Sequence, residues 1–208
     1  MKLYTFFRSS ASYRVRIALN LKGLSYDSAF ISLPKNEQSQ PDYLKVNPQG
    51  RVPTLDMDGA ILIQSPAILE YLDEVHPQPP LLPSDPMRRA KIRAVSALVG
   101  CDIHPLNNSG TLAYLKGRMG QDEAAVNAWY AHWVVEGFKT VEQLIEPGPF
   151  AFGDRPTLAD IYLVPQVYNA RRFKVPLDPF PKIMAVDAAC GEVEAFKAAA
   201  PERQPDAV

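Results

Sequence analysis

Cysteine is nearly missing from this chain. The two present, Cys101 and Cys190, lie far apart and outside any CxxC pair. That leaves no basis for a disulfide framework or a thiolate zinc site, and it fits a reducing cytosol. An excess of charge of one sign is missing too, since 22 basic and 23 acidic residues nearly cancel. No net field therefore draws nucleic acid or an anionic membrane. No apolar run is long enough to span a bilayer. Arg8, Arg14 and Arg16 interrupt any N-terminal apolar core of the signal-peptide kind. His76 and His132 have no partners at metal-ligand spacing, so no metal is expected. With 47% hydrophobic and 22% charged residues, the expectation is an ordinary globular, cytoplasmic protein. No internal repeat is visible.

Proline is the residue in excess, 20 in all, about twice the average usage. The densest cluster is HPQPPLLPSDP, residues 76–86, with five prolines in eleven residues. Such a run continues neither a helix nor a central strand, so it reads as an ordered link between two domains. Ahead of it strand and helix signals alternate. KLYTFF is β-prone, SYRVRIALNLK carries a helical stripe through Val15, Leu19 and Lys22, and Gly23 is a natural stop. YDSAFISL reads as a second strand, and PTLDMDGAILIQ as two more joined at Asp58-Gly59. In SPAILEYLDEV, Ser65 is the expected N-cap and Pro66 the first helical residue. Behind the cluster strand signals stop. Helical patterns cover 87–117 and 122–146, and Thr157 and Asp160 stand at capping-box spacing before a helix that Pro165 should kink or end. The expected architecture is an α/β domain over 1–80, a link at 81–86 and an all-helical domain over 87–208.

Three stretches of the first domain have the means to hold a ligand. In FFRSSASYRVRIALNLKG, residues 6–23, a strand runs through Arg8 and several serines directly into a helix. One serine suffices as a cap, and here Ser9, Ser10 and Ser12 are all available. A thiol bound there would be drawn toward thiolate by a hydroxyl hydrogen bond and the helix dipole. Tyr4 is a rival activator, but mid-strand alternation makes it a packing residue, and Ser9 is favoured. In NPQGRVPTL, residues 47–55, a cis Val52-Pro53 bond would turn the Val52 backbone toward an extended peptide. An ordinary turn explains the same letters. In IQSPAI, residues 63–68, the helix start offers unpaired N–H groups to a carboxylate. Capping explains Ser65 by itself, though not Gln64. Together the three stretches describe a site for a short anionic peptide carrying a thiol, which is glutathione.

SSASYRVRIAL, NPQGRVPTL, IQSPAILEYL, LLPSDP, GDRPTLADIYLVPQV, NARRFKV and the terminal RQPD together give nearly the whole chain a resemblance to the cytosolic glutathione transferases. More narrowly it resembles their zeta class, whose activity is maleylacetoacetate isomerisation. VGCDIHPLNN, residues 99–108, is similar to the related bacterial maleylpyruvate isomerases. The resemblance implies a thioredoxin-like N-terminal domain, a cis Pro53, an all-helical C-terminal domain and a homodimer. It implies glutathione contacts from Ser9, Ser10, Ala11, Gln38, Val52, Gln64 and Ser65, with Ser9 stabilising the thiolate. Arg172 would reach over the site from the helical domain, and Arg8 and His104 would complete a pocket for an acidic substrate, with Asn108 nearby. The catalytic set so implied is Arg8, Ser9, Ser10 and Arg172.

Two departures carry consequences. The zeta signature usually reads Ser-Ser-Cys, and the third place here is Ala11, so no thiol of the protein assists at that position. Ser109 and Gly110 stand where similar maleylpyruvate isomerases have arginine, a good carboxylate donor, which favours maleylacetoacetate as substrate. The implied reaction is a cis-trans isomerisation that needs glutathione without consuming it. A glutathione-consuming transferase or dehalogenase and a non-catalytic interaction domain are the rival readings, the last requiring a degraded thiol end that is not seen.

Overall fold

The computed structural model describes residues 1–207, which fall into two compact units. The first contains Met1–Pro80 together with the chain from Gly191 onward, and the second Leu81–Cys190.

The first unit is built on strands β1 (Lys2–Thr5), β2 (Asp27–Phe30), β3 (Thr54–Met57) and β4 (Ala60–Ile63), in the order β2-β1-β3-β4. β1 and β2 run parallel, as a crossover helix between them requires. β3 is antiparallel to β1 and to β4. The β3–β4 turn has positive φ at both Asp58 (55°) and Gly59 (101°), which suits an Asp-Gly pair. Helices α1 (Ser10–Leu21), α2 (Pro41–Val46) and α3 (Ser65–Val75) complete this part, a thioredoxin-like arrangement. α2 lies where no helix is expected from the sequence, because six residues are too few to show a period.

The α1 stripe is wider than its sequence shows. Ser12 through Leu19 are all buried, Arg14 and Arg16 among them. Burying Val15, Ile17 and Leu19 contributes roughly 1.5–3 kcal/mol each before conformational entropy is charged against it. Lys22 ends the stripe for a reason the pattern hides. Its buried ammonium donates to Asp73 Oδ1 (2.9 Å), to the His76 carbonyl (2.5 Å) and to the Pro79 carbonyl (3.0 Å). It thus ties the end of α1 to the chain leaving α3. Gly23, at φ 64°, takes the left-handed conformation after the helix as expected.

The second unit is helical. α4 (Pro86–Ala97) passes through a π-helical turn (Leu98–Ile103) into α5 (His104–Asn107), followed by α6 (Ser109–Gly117), α7 (Glu123–Leu144), α8 (Leu158–Arg172) and α9 (Pro181–Gly191). The π turn is where Gly100 faces the Tyr162 ring; a Cβ there would lie 2.7 Å from it. α8 does not end at Pro165 but continues to Arg172. Its residues 158–167 are all buried, and packing on every side outweighs the single backbone bond that proline removes.

The expected division shifts at both ends of the helical domain. Leu81 and Leu82 of the link are buried, and the Leu81 carbonyl accepts Leu158 N–H at 2.9 Å, so they belong to the helical unit. α10 (Glu194–Ala199) and the 3-10 turn Pro201–Arg203 belong instead to the first unit, with α10 against α1. No helix among the described residues is long and apolar enough to cross a membrane.

Candidate functional site

The loop after β1 brings Arg8 and Ser9 to the start of α1. Ser9 is the N-cap, in extended conformation, and its Oγ accepts Ser12 N–H at 3.2 Å. Its carbonyl accepts Tyr13 N–H at 2.8 Å. The cap and the ligand reading are therefore compatible. The oxygen is used as an acceptor, and the hydroxyl hydrogen remains to be donated. Ser10, the first helical residue, is buried, Ala11 offers only a methyl, and Ser12 Oγ is buried without a partner among the described residues. Arg8 is half-buried, its guanidinium 4.6 Å from the centre of the Phe7 ring and its Nε without a hydrogen-bond partner among the described residues. Tyr4 packs against Tyr43 with ring centres 5.7 Å apart, as a packing residue would.

The loop leading to β3 is held from below. Asn47 Nδ2 donates to the Arg51 carbonyl (2.8 Å) and to Thr54 Oγ1 (2.9 Å), while Tyr43 Oη reaches the Arg51 carbonyl at 2.7 Å. Burial raises the Tyr43 hydroxyl above its ordinary pKa, so it stays a neutral donor. Gly50 turns the loop at φ 62°, with only 3.0 Å between a would-be Cβ and the Gln38 carbonyl. A side chain there would be strained both by the positive φ and by the carbonyl. The loop presents Val52, buried and joined to Pro53 by a cis peptide. Gln38 itself is half-buried, its amide donating to Asn36 Oδ1 at 2.8 Å.

At α3 the expected capping is absent. Gln64, not Ser65, occupies the N-cap position, Ser65 is the first helical residue and Pro66 the second. No side chain among the described residues caps the terminus. Gln64 has φ 70° and ψ 116°, a region that a residue with a Cβ rarely enters. Its side chain donates to Gln49 Oε1 at 2.7 Å, linking this corner to the Gly50 loop. The first N–H groups of α3 have no side-chain cap, and Ser65 is buried beside them. This strained, uncapped corner is the part of the site that residue patterns missed, since positive φ at glutamine has no sequence signal.

The remaining expected residues lie on the helical unit. His104 is half-buried and opens α5 directly after the π turn. Asn108 is engaged as a cap: Oδ1 accepts Thr111 N–H (3.1 Å) and Nδ2 donates to the Pro105 carbonyl (2.7 Å). Of the two arginines ending α8, Arg171 is committed to Asp187 at 2.5 Å. Arg172 is exposed, bonded at 3.2 Å to Asn169 Oδ1 and 5.5 Å from the Phe173 ring centre. That leaves Arg172 the more available cation of the pair.

Models of the glutathione S-transferase N-terminal and C-terminal domains match residues 1–74 and 123–189. A maleylpyruvate isomerase of Ralstonia sp is 54% identical over 99% of both chains. A maleylacetoacetate isomerase of Pseudomonas aeruginosa is 56% identical over 99% of this chain and 98% of the relative. A solved holo maleylpyruvate isomerase, described as a bacterial zeta-class glutathione S-transferase, superposes with a TM-score of 0.99 at 53% identity over the full length of both. A maleylacetoacetate isomerase of Anaeromyxobacter dehalogenans with bound glutathione superposes at 0.90, with 42% identity over 100% of this chain and 97% of the other.

Proposed function

Because this chain belongs to the zeta class of the glutathione S-transferase family, we infer that it is a glutathione-dependent cis-trans isomerase of a maleyl keto acid, maleylacetoacetate in the first place. The observation that carries the chemistry is Ser9, whose Oγ is fixed by Ser12 N–H with its own hydrogen left to give.

The residues of the first unit fit glutathione. The start of α3, with no side-chain cap, suits a carboxylate, worth about 0.3–1 kcal/mol from the dipole where exposed. Val52 beside the cis Pro53 suits pairing with a peptide backbone, and Gln64, Ser65 and Gln38 are proposed as further donors. Bound there, glutathione supplies a nucleophilic thiolate whose reversible addition to the conjugated double bond frees the rotation that the intact bond forbids. Ser9 donates its hydroxyl hydrogen to the sulfur, and the α1 dipole, with Ser10 at the first turn, favours the anion. Arg8 and Arg172 are proposed to meet the substrate's carboxylates and the negative charge that develops on its conjugated carbonyl. His104 is proposed as a further pocket residue. Asn108, already engaged as a cap, would serve by shaping that segment.

Ser109 and Gly110, which add no guanidinium at the start of α6, favour maleylacetoacetate. The near-superposition on a maleylpyruvate isomerase favours the shorter keto acid, and the two substrates are to be tested side by side. Both acids are assayed with and without glutathione, for wild type and Arg172→Ala, while total thiol is counted. Turnover that requires glutathione, conserves thiol and falls at least about tenfold in the variant is expected. Thiol consumption with a halogenated acid and no isomerisation would make the chain a transferase. We further propose a cytoplasmic homodimer, checked by light scattering.

A further inference from the structure

We propose that the C-terminal segment is a working part of the thiol end of the site, acting through two positioning residues, Arg16 and Asp206. This rests on the assignment of Ser9 as thiolate donor. The two peptide groups flanking Phe7, immediately before Arg8 and Ser9, are both held. Phe7 N–H donates to Asp206 Oδ2 at 3.0 Å. The Phe7 carbonyl accepts Arg16 Nη2 at 2.9 Å, and Arg16 Nη1 reaches the Phe6 carbonyl at 3.4 Å and Thr5 Oγ1 at 3.2 Å.

The same guanidinium donates from Nε to the Ala199 carbonyl at 3.0 Å. Arg16 is wholly buried, so these charge-assisted bonds are made out of water and fix the loop in a planar fork that lysine does not reproduce. Residues 199 and 206 therefore set where the 6–9 loop enters α1, and with it the aim of the Ser9 hydroxyl and the Arg8 guanidinium. Neither positioning residue needs to touch the ligand.

The sign of one variant separates positioning from electrostatics. Removing a carboxylate near the site by charge alone would favour a bound thiolate and lower the thiol pKa. Loosening the loop that aims Ser9 would raise it. The ultraviolet difference absorbance of glutathione thiolate is titrated with wild type, Asp206→Ala, Asp206→Asn and Asn20→Ala. The last frees the Ala195 carbonyl of the same segment without touching the loop. For Asp206→Ala we expect a thiol pKa raised by about one unit, hence about tenfold less thiolate on the rising limb. Its kcat/KM should fall alike near neutrality and recover at higher pH. Asp206→Asn, which keeps an acceptor for Phe7 N–H, should stay within about twofold of wild type, and Asn20→Ala should not shift the titration. An unchanged or lowered pKa in Asp206→Ala, or an equal rise in Asn20→Ala, overturns the proposal. Wild type that forms no thiolate defeats the Ser9 assignment itself, a separate failure seen before any variant is read.

Discussion

The starts of α8 and α3 solve the same electrostatic problem in opposite ways. At α8 the chain closes the terminus on itself. Asp160 accepts from Thr157 N–H (2.7 Å), Thr157 Oγ1 (2.8 Å) and Ala151 N–H (2.8 Å) within a reciprocal capping box. Burial pushes the Asp160 carboxyl above its ordinary pKa, and these bonds pull against that. At α3 no side chain caps the helix and Gln64 takes a strained backbone instead. The start of α1 is intermediate, capped by an oxygen whose hydrogen is still available. A closed terminus holds a fold together; an open one can hold something else.

Breaking the closed terminus should have the largest effect. Asp160→Ala leaves three buried donors without an acceptor, and we expect a loss of about 3 kcal/mol or more of stability, read from denaturant midpoints. Turnover per folded molecule should be unchanged. Ser9→Ala should reverse that pattern: kcat/KM falls about 10²-fold through the lost donor, while stability drops by only about 1 kcal/mol through the lost cap. Sharpening the contrast at α3, Gln64→Gly should relieve backbone strain and raise stability by about 1 kcal/mol. Glutathione affinity should fall several-fold at the same time, measured by titration calorimetry.

The smallest effect separates the two cysteines. Cys190 is buried, and desolvation together with the Asp160 and Asp187 carboxylates holds its thiol far above the usual range. A thiol reagent should therefore modify the exposed Cys101 alone in the native protein, and both cysteines once it unfolds. Fast labelling of two thiols would mean that the α8–α9 region opens.

Much of the fold, including the local frame of the candidate site, was legible because its signals are local. The serine-bearing start of α1, the Gly-containing turn before β3, the Asp58-Gly59 hairpin and the Thr157–Asp160 box each lie within a few residues, where residue chemistry and backbone geometry act directly. Which serine serves as the cap was left to the structure. Gln64 was singled out by elimination, as the residue that capping left unexplained, but its positive φ was invisible. Such a conformation is imposed by the surroundings and goes against the residue's own preference. Arg16 was read only as a charge that interrupts an apolar run. Its burial depends on acceptors at Phe7 and Ala199, and the second of these is 183 residues away.

By itself, then, the sequence determined the alternation of elements in the first half, the helical second half, the proline-marked joint and the serine-bearing helix start. Hydrophobic period, turn chemistry and capping are short-range and leave their mark on neighbouring letters. Only the tertiary structure decided that the chain from Gly191 onward returns to the first unit. It alone buries Arg16 and Lys22 on α1 and leaves the start of α3 without a side-chain cap. The first two depend on polar groups meeting partners across long stretches of chain, Phe7 with Asp206, Arg16 with Ala199 and Lys22 with Asp73, and burial is tolerated only once that partner is in place. The third is a backbone conformation that the surroundings impose on Gln64.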